Sequence, residues 1–211
     1  MLKFLLADDH PLYREALRAA LQSQLQGVNY LESDSFTSTL QVLRRQRNIS
    51  VILLDLNMPG CENFYGLLRI RQSFPDIPIV VVSASDSIEV IAQVMDFGAN
   101  AFVPKTTPTL EMVAAIKQVL SGQQWLPEGI AEKIENVSSD TIEIAQKVKE
   151  LTPKQFQVLR LVKQGLMNKQ IADTLNVTEA TVKAHISMLF KRLNVKSRTQ
   201  ILVAIEKLQL D

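Results

Sequence analysis

The stretch VILLDLNMPG, residues 51–60, decides the fold. Val51 to Leu54 follow one another with no polar residue between them, so a strand built from them has no face to give to water. The run stops at Asp55, and Asn57, Pro59 and Gly60 behind it are turn formers. A short strand buried on both faces and ending on a carboxylate suits a central position in a parallel sheet, where ligands meet the carboxyl ends of the strands.

Other short apolar runs lie on either side: LKFLLA (2–7), a short strand near NYLESD (29–34), IPIVVVS (77–83) and NAFVP (100–104). Between them PLYREALRAALQSQ, FTSTLQVLRRQR, YGLLRIRQSF, SIEVIAQVMDFG and TPTLEMVAAIKQVLSG repeat apolar residues near helical spacing. Gly98 and Gly122 stand where the fourth and fifth helices should end. Five strands alternating with five helices predict an α/β doubly wound parallel sheet with helices on both faces.

After Gly122 the texture changes. The next stretch, through Glu150, has Pro127, Gly129, a Ser-Ser break and an acidic excess, and reads as a linker with short helices whose Trp125 packs its ring on a domain surface. The tail is helical. LTPKQFQVLRLVKQG opens with Thr152, Pro153 and Gln155 in a capping-box arrangement and ends at Gly165. NKQIADTL and TEATVKAHISMLFKRL follow across a turn of Asn176 and Val177, and RTQILVAIEKL comes last. Two helices on so short a turn make a helix-turn-helix pattern.

The 211 residues are 46% hydrophobic and 21% charged, the composition of a globular protein. No apolar run approaches the roughly 20 residues that span a bilayer. The N-terminus runs straight into Asp8 without the cleavage site of a signal peptide, so the sequence predicts a cytoplasmic protein away from the membrane. Cys61 is the single cysteine, which rules out an intramolecular disulfide and a cysteine-based zinc site. The net charge of +1 hides an asymmetry, because residues 151–211 carry ten basic and four acidic side chains while residues 1–121 carry ten and twelve. An excess of cations in the tail makes it the candidate for nucleic acid.

The strand ends of the first half carry Asp8 and Asp9, Asp55, Ser83 and Lys105. On one reading Asp9 or His10 simply caps the helix that starts at Pro11. Alternatively, three carboxylates converge on one crevice and need a counter-cation, which a hard, oxygen-seeking Mg²⁺ supplies. Asp55 is then placed to attack phosphorus, with Ser83 and Lys105 binding the phosphoryl oxygens. Asn57 is an amide and cannot serve as a general base, which favours a longer-lived aspartyl phosphate over a phosphatase. Cys61, a loop thiol near Asp55 without a visible activating base, reads as inert rather than redox-sensing.

LLADDHP, VILLDLNMPG, VVVSAS and AFVPK resemble the receiver domain of bacterial response regulators, and the stretch from Leu151 to Gln200 resembles a LuxR-type helix-turn-helix. The order of the two resembles the NarL/FixJ family. The resemblance implies a flavodoxin-like five-stranded receiver over 1–121, a linker over 122–149 and an all-α, four-helix DNA-binding domain over 150–211. It implies that Asp55 accepts phosphate from a sensor histidine kinase, that Asp9, Asp55 and the Asn57 backbone carbonyl hold Mg²⁺, and that Asp8 contributes through water. Ser83, Phe102 and Lys105 form the switch by the same resemblance, and DNA, a homodimer formed on activation and RNA polymerase are the partners it brings. The sequence departs from the family in four places. Extra residues from Cys61 to Tyr65 lengthen the loop before Gly66, Phe102 replaces the commoner Tyr, Gln155 replaces Glu, and Met167 replaces Ser, where Asn168 is the expected substitute cap.

In the tail, Val182, Ile186, Leu189 and Leu193 form an inward apolar stripe. Lys183, Ala184 and Ser187 then point outward, and by resemblance they approach base edges, Lys183 donating to guanine and Ala184 touching a thymine methyl. Thr178, Thr181, Lys169, Lys191, Arg192 and Arg198 are expected at phosphates. Ile201, Leu202, Ile205 and Leu208 are the expected dimer surface, shared with the domain core. The resulting expectation is a phosphorylation-controlled transcription factor, with enzymatic behaviour limited to slow gain and loss of its own phosphate. Two rivals are a phosphoryl-transfer enzyme built on Asp55 and a receiver that acts as a phosphorylation-independent interaction module.

Overall fold

A computed structural model of the protein describes residues 1–61, 64–135, 147, 148 and 150–206. The chain divides into two compact units, Met1–Asn136 and Val137–Asp211, a division that falls inside the stretch read as a linker. No described helix is long and apolar enough to cross a membrane.

The first unit is built on strands β1 (Leu2–Ala7), β2 (Val28–Ser33), β3 (Val51–Leu54), β4 (Ile79–Ser83) and β5 (Ala101–Pro104). They form one sheet in the order β2-β1-β3-β4-β5, with every pair parallel. All four residues of β3 are buried, as their unbroken apolar character requires. Helices α1 (Pro11–Gln24), α2 (Phe36–Arg45), α3 (Phe64–Ser73) and α4 (Ile88–Asp96) connect the strands, and α5 (Thr109–Leu120) follows β5.

The pleat divides the core. Phe4, Leu6, Val51, Leu53, Val80, Val82, Ala101 and Val103 meet Leu17 and Leu21 of α1 and Met112, Ile116 and Val119 of α5. The alternate residues, among them Leu5, Ile52, Val81 and Phe102, turn to the opposite face and are fully buried there. On the helices, Phe64 and the Phe97 that ends α4 pack their rings at a tilt of 51°, centroids 5.2 Å apart.

Local chemistry sets the helix limits. Ser35 and Ser38 form a reciprocal cap at the start of α2, and Ser87 accepts from Val90 N–H at the start of α4. Gly98 follows α4 with φ +94°, a left-handed conformation that leaves glycine without steric cost. Beyond α5, Trp125 packs against the α1 and α5 side of the core and makes an isolated parallel bridge with Ala101 of β5. Helix α6 (Ile130–Glu135) packs on α4.

The second unit holds α7 (Pro153–Lys163), α8 (Asn168–Leu175), α9 (Glu179–Leu193) and α10 (Arg198–Glu206). Thr152 and Gln155 complete the capping box of α7, Gln155 Oε1 accepting from Thr152 N–H at 2.9 Å, so the amide serves where a carboxylate is usual. Asn176 (φ 52°) and Asn194 (φ 56°) end α8 and α9 in the left-handed conformation that asparagine tolerates. Phe156, Leu159 and Val162 of α7, Ile171 of α8, and Val182, Ile186, Leu189 and Leu193 of α9 are buried together with Ile201 and Ile205 of α10. Those last two residues of the expected dimer stripe therefore serve the core, while Leu208 lies outside the described residues.

Candidate functional site

Register brings the first-half residues together. Ala7 of β1 pairs with Leu54 of β3, Leu54 with Val81 of β4, and Ser83 with Pro104 of β5, so the strands end nearly level. The ladder runs one residue past the ends, with Asp55 N–H donating to Ala7 O and Lys105 N–H donating to Ser83 O, each at 2.8 Å. These bonds hold Asp55 beside the end of β1 and Lys105 beside the end of β4, while Asp8 N–H donates to Ser33 O at 3.1 Å.

Asp55 is 1% exposed and Asp8 is 4% exposed, and a buried carboxylate needs partners. Lys105 supplies the charge, its Nζ standing 2.7 Å from Asp8 Oδ2 and 2.9 Å from Asp55 Oδ2. Burial works against this ammonium, but its hydrogen bonds to Asp8 and Asp55 and their charges outweigh that, and the Lys105 pKa lies above the ordinary lysine value. Asp55 Oδ1 accepts from Asn57 N–H at 3.1 Å. The ammonium also lies over the Tyr13 ring, 4.7 Å from its centroid. Burial first, then the charges of Asp8 and Asp55, push the Tyr13 phenol up to about 12.

The capping alternative for the acid pair has a partial place. His10 is the N-cap residue of α1 but makes no side-chain cap, and Asp9 does not replace it; Asp8 Oδ1 accepts from His10 N–H at 2.8 Å. Asp9 Oδ1 is enclosed without a hydrogen-bond donor, since His10 Nδ1 at 2.8 Å meets it out of hydrogen-bond alignment. Ligand-capable atoms of Asp8, Asp9, His10 and Asp55 lie within 4.8 Å of one another, so this cluster has the donors to hold a metal ion. Arg14 was not singled out by the sequence reading, yet it donates to the Asp8 carbonyl and to Glu32 Oε2 and thereby fixes the end of β1. No periodicity marks such a contact.

Ser83 is buried at the end of β4, and its hydroxyl accepts from Ser85 N–H at 3.2 Å. Phe102 is fully buried on β5. Cys61 is also buried, packed against Gly66, and burial followed by the Asp55 charge raises its thiol pKa well above the ordinary range.

On α9 of the second unit, Lys183, Ala184, Ser187 and Lys191 are exposed on the side away from the buried stripe. Lys183 lies 3.8 Å from Glu179 across an exposed helical turn, and Ser187 spends its hydroxyl on the Lys183 carbonyl at 3.0 Å. Thr178 caps α9, accepting from Thr181 N–H at 3.2 Å, and the two threonine hydroxyls are 2.9 Å apart. Lys169 is exposed near the start of α8. Arg192 is exposed and donates to the Glu150 carbonyl at 3.1 Å. Arg198 is only half-exposed and its guanidinium is engaged within the unit, donating to the Leu166 carbonyl and to Asn168 Oδ1. Asn168 is thus occupied and does not cap α8; Gln170 Oε1 accepts from Met167 N–H at 2.7 Å, the other half of a capping box, so the helix's own first N–H groups gain no side-chain cap.

Comparison with known proteins agrees with this architecture. The family model of the response regulator receiver domain matches residues 4–117, and that of bacterial regulatory proteins of the luxR family matches residues 149–205. The glycerol metabolism activator of Pseudomonas putida is 37% identical over 209 residues, covering 97% of this chain and 95% of that protein. The nitrate/nitrite response regulator protein NarL of Escherichia coli K12 is 29% identical over 204 residues, covering 96% and 94%. Among solved structures, RcsB from Salmonella enterica serovar Typhimurium bound to promoter rprA in the presence of phosphomimetic BeF₃⁻ shares the fold, with a TM-score of 0.56 at 24% identity over 98% of this chain and 99% of that one. The two domains matched in this order, together with relatives of the same kind over nearly the whole length, show that the chain belongs to the NarL/FixJ family of response regulators.

Proposed function

We propose that Asp55 takes a phosphoryl group from a sensor histidine kinase and that this modification controls how the second unit binds promoter half-sites. The observation that carries the reading is the meeting of Asp8, Asp9, Asp55 and Lys105 at the carboxyl edge of one sheet. Asp55 is the nucleophile in this reading, Lys105 offsets the charge of the incoming oxygens, and Ser83 and Phe102 respond to the new group. Asn57 is an amide and cannot itself activate water against the acyl phosphate, which suits a signal with slow self-dephosphorylation.

The enclosed, donorless Asp9 Oδ1 and the all-oxygen character of the acids fit Mg²⁺. Asp9, Asp55 and the Asn57 carbonyl would hold it directly, with Asp8 acting through water. When bound, Mg²⁺ neutralises charge on the transferring phosphoryl group.

In the second unit, Lys183, Ala184 and Ser187 face base edges, whereas Thr178, Thr181, Lys169, Lys191 and Arg192 meet phosphates. Arg198, expected at a phosphate, serves in this reading mainly to hold the Leu166–Asn168 turn that presents Lys169. One such unit makes a small interface, which favours a homodimer on two half-sites. Residues 1–121 act as the receiver, 122–149 as the linker and 150–211 as the DNA-binding domain of a cytoplasmic regulator that works through RNA polymerase.

The test uses a genomic DNA fragment selected by binding. Wild-type protein with Mg²⁺ and beryllofluoride should bind it more tightly than untreated protein, and Asp55→Asn should not respond. Equal binding in all three states would overturn control by phosphorylation.

A further inference from the structure

The Lys105 ammonium has two kinds of neighbour. Asp8 Oδ2 and Asp55 Oδ2 hold it at 2.7 and 2.9 Å, and the centroid of the Tyr13 ring stands 4.7 Å away. Tyr13 and Lys105 also line a cavity of about 190 Å³ between α1 and α5, together with Ala16, Ala20, Thr107 and Thr109. The small side chains of Ala16 and Ala20 leave room there, so without the ring the four-carbon stem of Lys105 has open volume to swing into. A ring face attracts an ammonium through its quadrupole, and the attraction grows when water is kept away.

Resting on the reading of Asp55 as phosphoacceptor, we propose that Tyr13 is a positioning residue: its ring seats the Lys105 ammonium between Asp8 and Asp55. Two consequences have opposite signs. A well-seated ammonium competes with a divalent cation for Asp8 and Asp55, so the ring weakens metal binding. The same seat holds Lys105 beside the oxygen of Asp55 that forms the bond to phosphorus, so the ring speeds transfer.

The experiment compares full-length wild type with Tyr13→Phe, Tyr13→Leu and Tyr13→pentafluorophenylalanine, the last keeping the shape of a ring while reversing its electrostatics. Mg²⁺ affinity is measured by calorimetry on unmodified protein. The rate of Asp55 phosphorylation is measured at saturating Mg²⁺ with phosphoramidate, from which the phosphoryl group passes to the Asp55 carboxylate as the P–N bond breaks and ammonia leaves. The Leu and pentafluorophenylalanine variants should bind Mg²⁺ about two- to five-fold more tightly and be phosphorylated about two- to five-fold more slowly, the span of a partly exposed cation–π contact. Tyr13→Phe should restore both values to those of wild type. A general loosening of the site would weaken both properties together, and that outcome, unchanged values in the Leu and fluorinated variants, or Phe behaving like Leu would each overturn the assignment. If wild type itself takes no phosphate on Asp55, the phosphoacceptor reading fails, while the Mg²⁺ affinities still decide whether Tyr13 seats Lys105.

Discussion

The ammonium of Lys105 lies 2.9 Å from the carboxylate of Asp55, fifty residues away in sequence, and Asp55 is 1% exposed. Removing one member of so buried a pair leaves the other uncompensated, a loss of about 3 kcal/mol or more. Lys105→Ala should therefore destabilise the first unit in urea unfolding with a chelator present. Mg²⁺, offering another cation to the same acids, should restore part of the loss; equal destabilisation with and without Mg²⁺ would mean that the acids do not share a metal.

Gly66 is confined by Cys61, because a Cβ built on it would stand 2.0 Å from Cys61 Sγ and 3.1 Å from Cys61 Cα. Gly66→Ala should cost about 1–3 kcal/mol as overpacking. Combining it with Cys61→Ala should recover part of that cost, since the sulfur is gone but the backbone contact remains. Strict additivity in a double-mutant cycle would show that the two residues are not coupled.

Alkaline pH should weaken the first unit. The Tyr13 pKa is raised to about 12 and that of Lys105 is raised above its ordinary value. Both groups stay protonated in the folded protein after they titrate in the unfolded chain, so the stability they contribute is intact below about pH 10 and falls as pH rises toward the folded-state values. Thermal unfolding followed from pH 9 to 12 should fall with a shallower slope in Tyr13→Phe. An identical slope would place the phenol outside this linkage.

Met167 is an N-cap without a cap: it is 74% exposed and brings no side-chain oxygen to the start of α8. Met167→Ser should stabilise the second unit by about 1 kcal/mol, read as a rise in its thermal midpoint. No rise would indicate that water already satisfies the first N–H groups of α8.

Much of the first unit is legible because its signals are periodic. The unbroken runs at 51–54 and 79–83 are the two buried central strands, and the α1 segment agrees residue for residue with the pattern from Pro11 to Gln24. The convergence of Asp8, Asp55 and Lys105 follows from a rule about strand ends rather than from any contact readable in the chain. Single contacts between distant residues were illegible. The Lys105–Asp8 pair, the Arg14 bond to the Asp8 carbonyl and the engagement of Arg198 by Leu166 and Asn168 each depend on which rotamer packing selects. For the same reason Asn168 turns to Arg198 instead of capping α8. A pattern locates elements, but it does not say which of two nearby polar groups reaches a given donor first.

The short bridge at Trp125 bears on solubility. β5 is the last strand of the sheet, and an unpaired outer edge is a template for pairing with another chain. Trp125 N–H donates to the Asn100 carbonyl at 3.0 Å and Phe102 N–H donates to the Trp125 carbonyl at 3.4 Å, so a single residue beyond α5 covers the start of that edge while its ring closes the core beneath. A fragment cut at Gly122, where the last receiver helix ends, would retain every strand of the sheet yet bare its hydrogen-bonding rim. The aggregation-resistant boundary of this unit lies beyond Trp125.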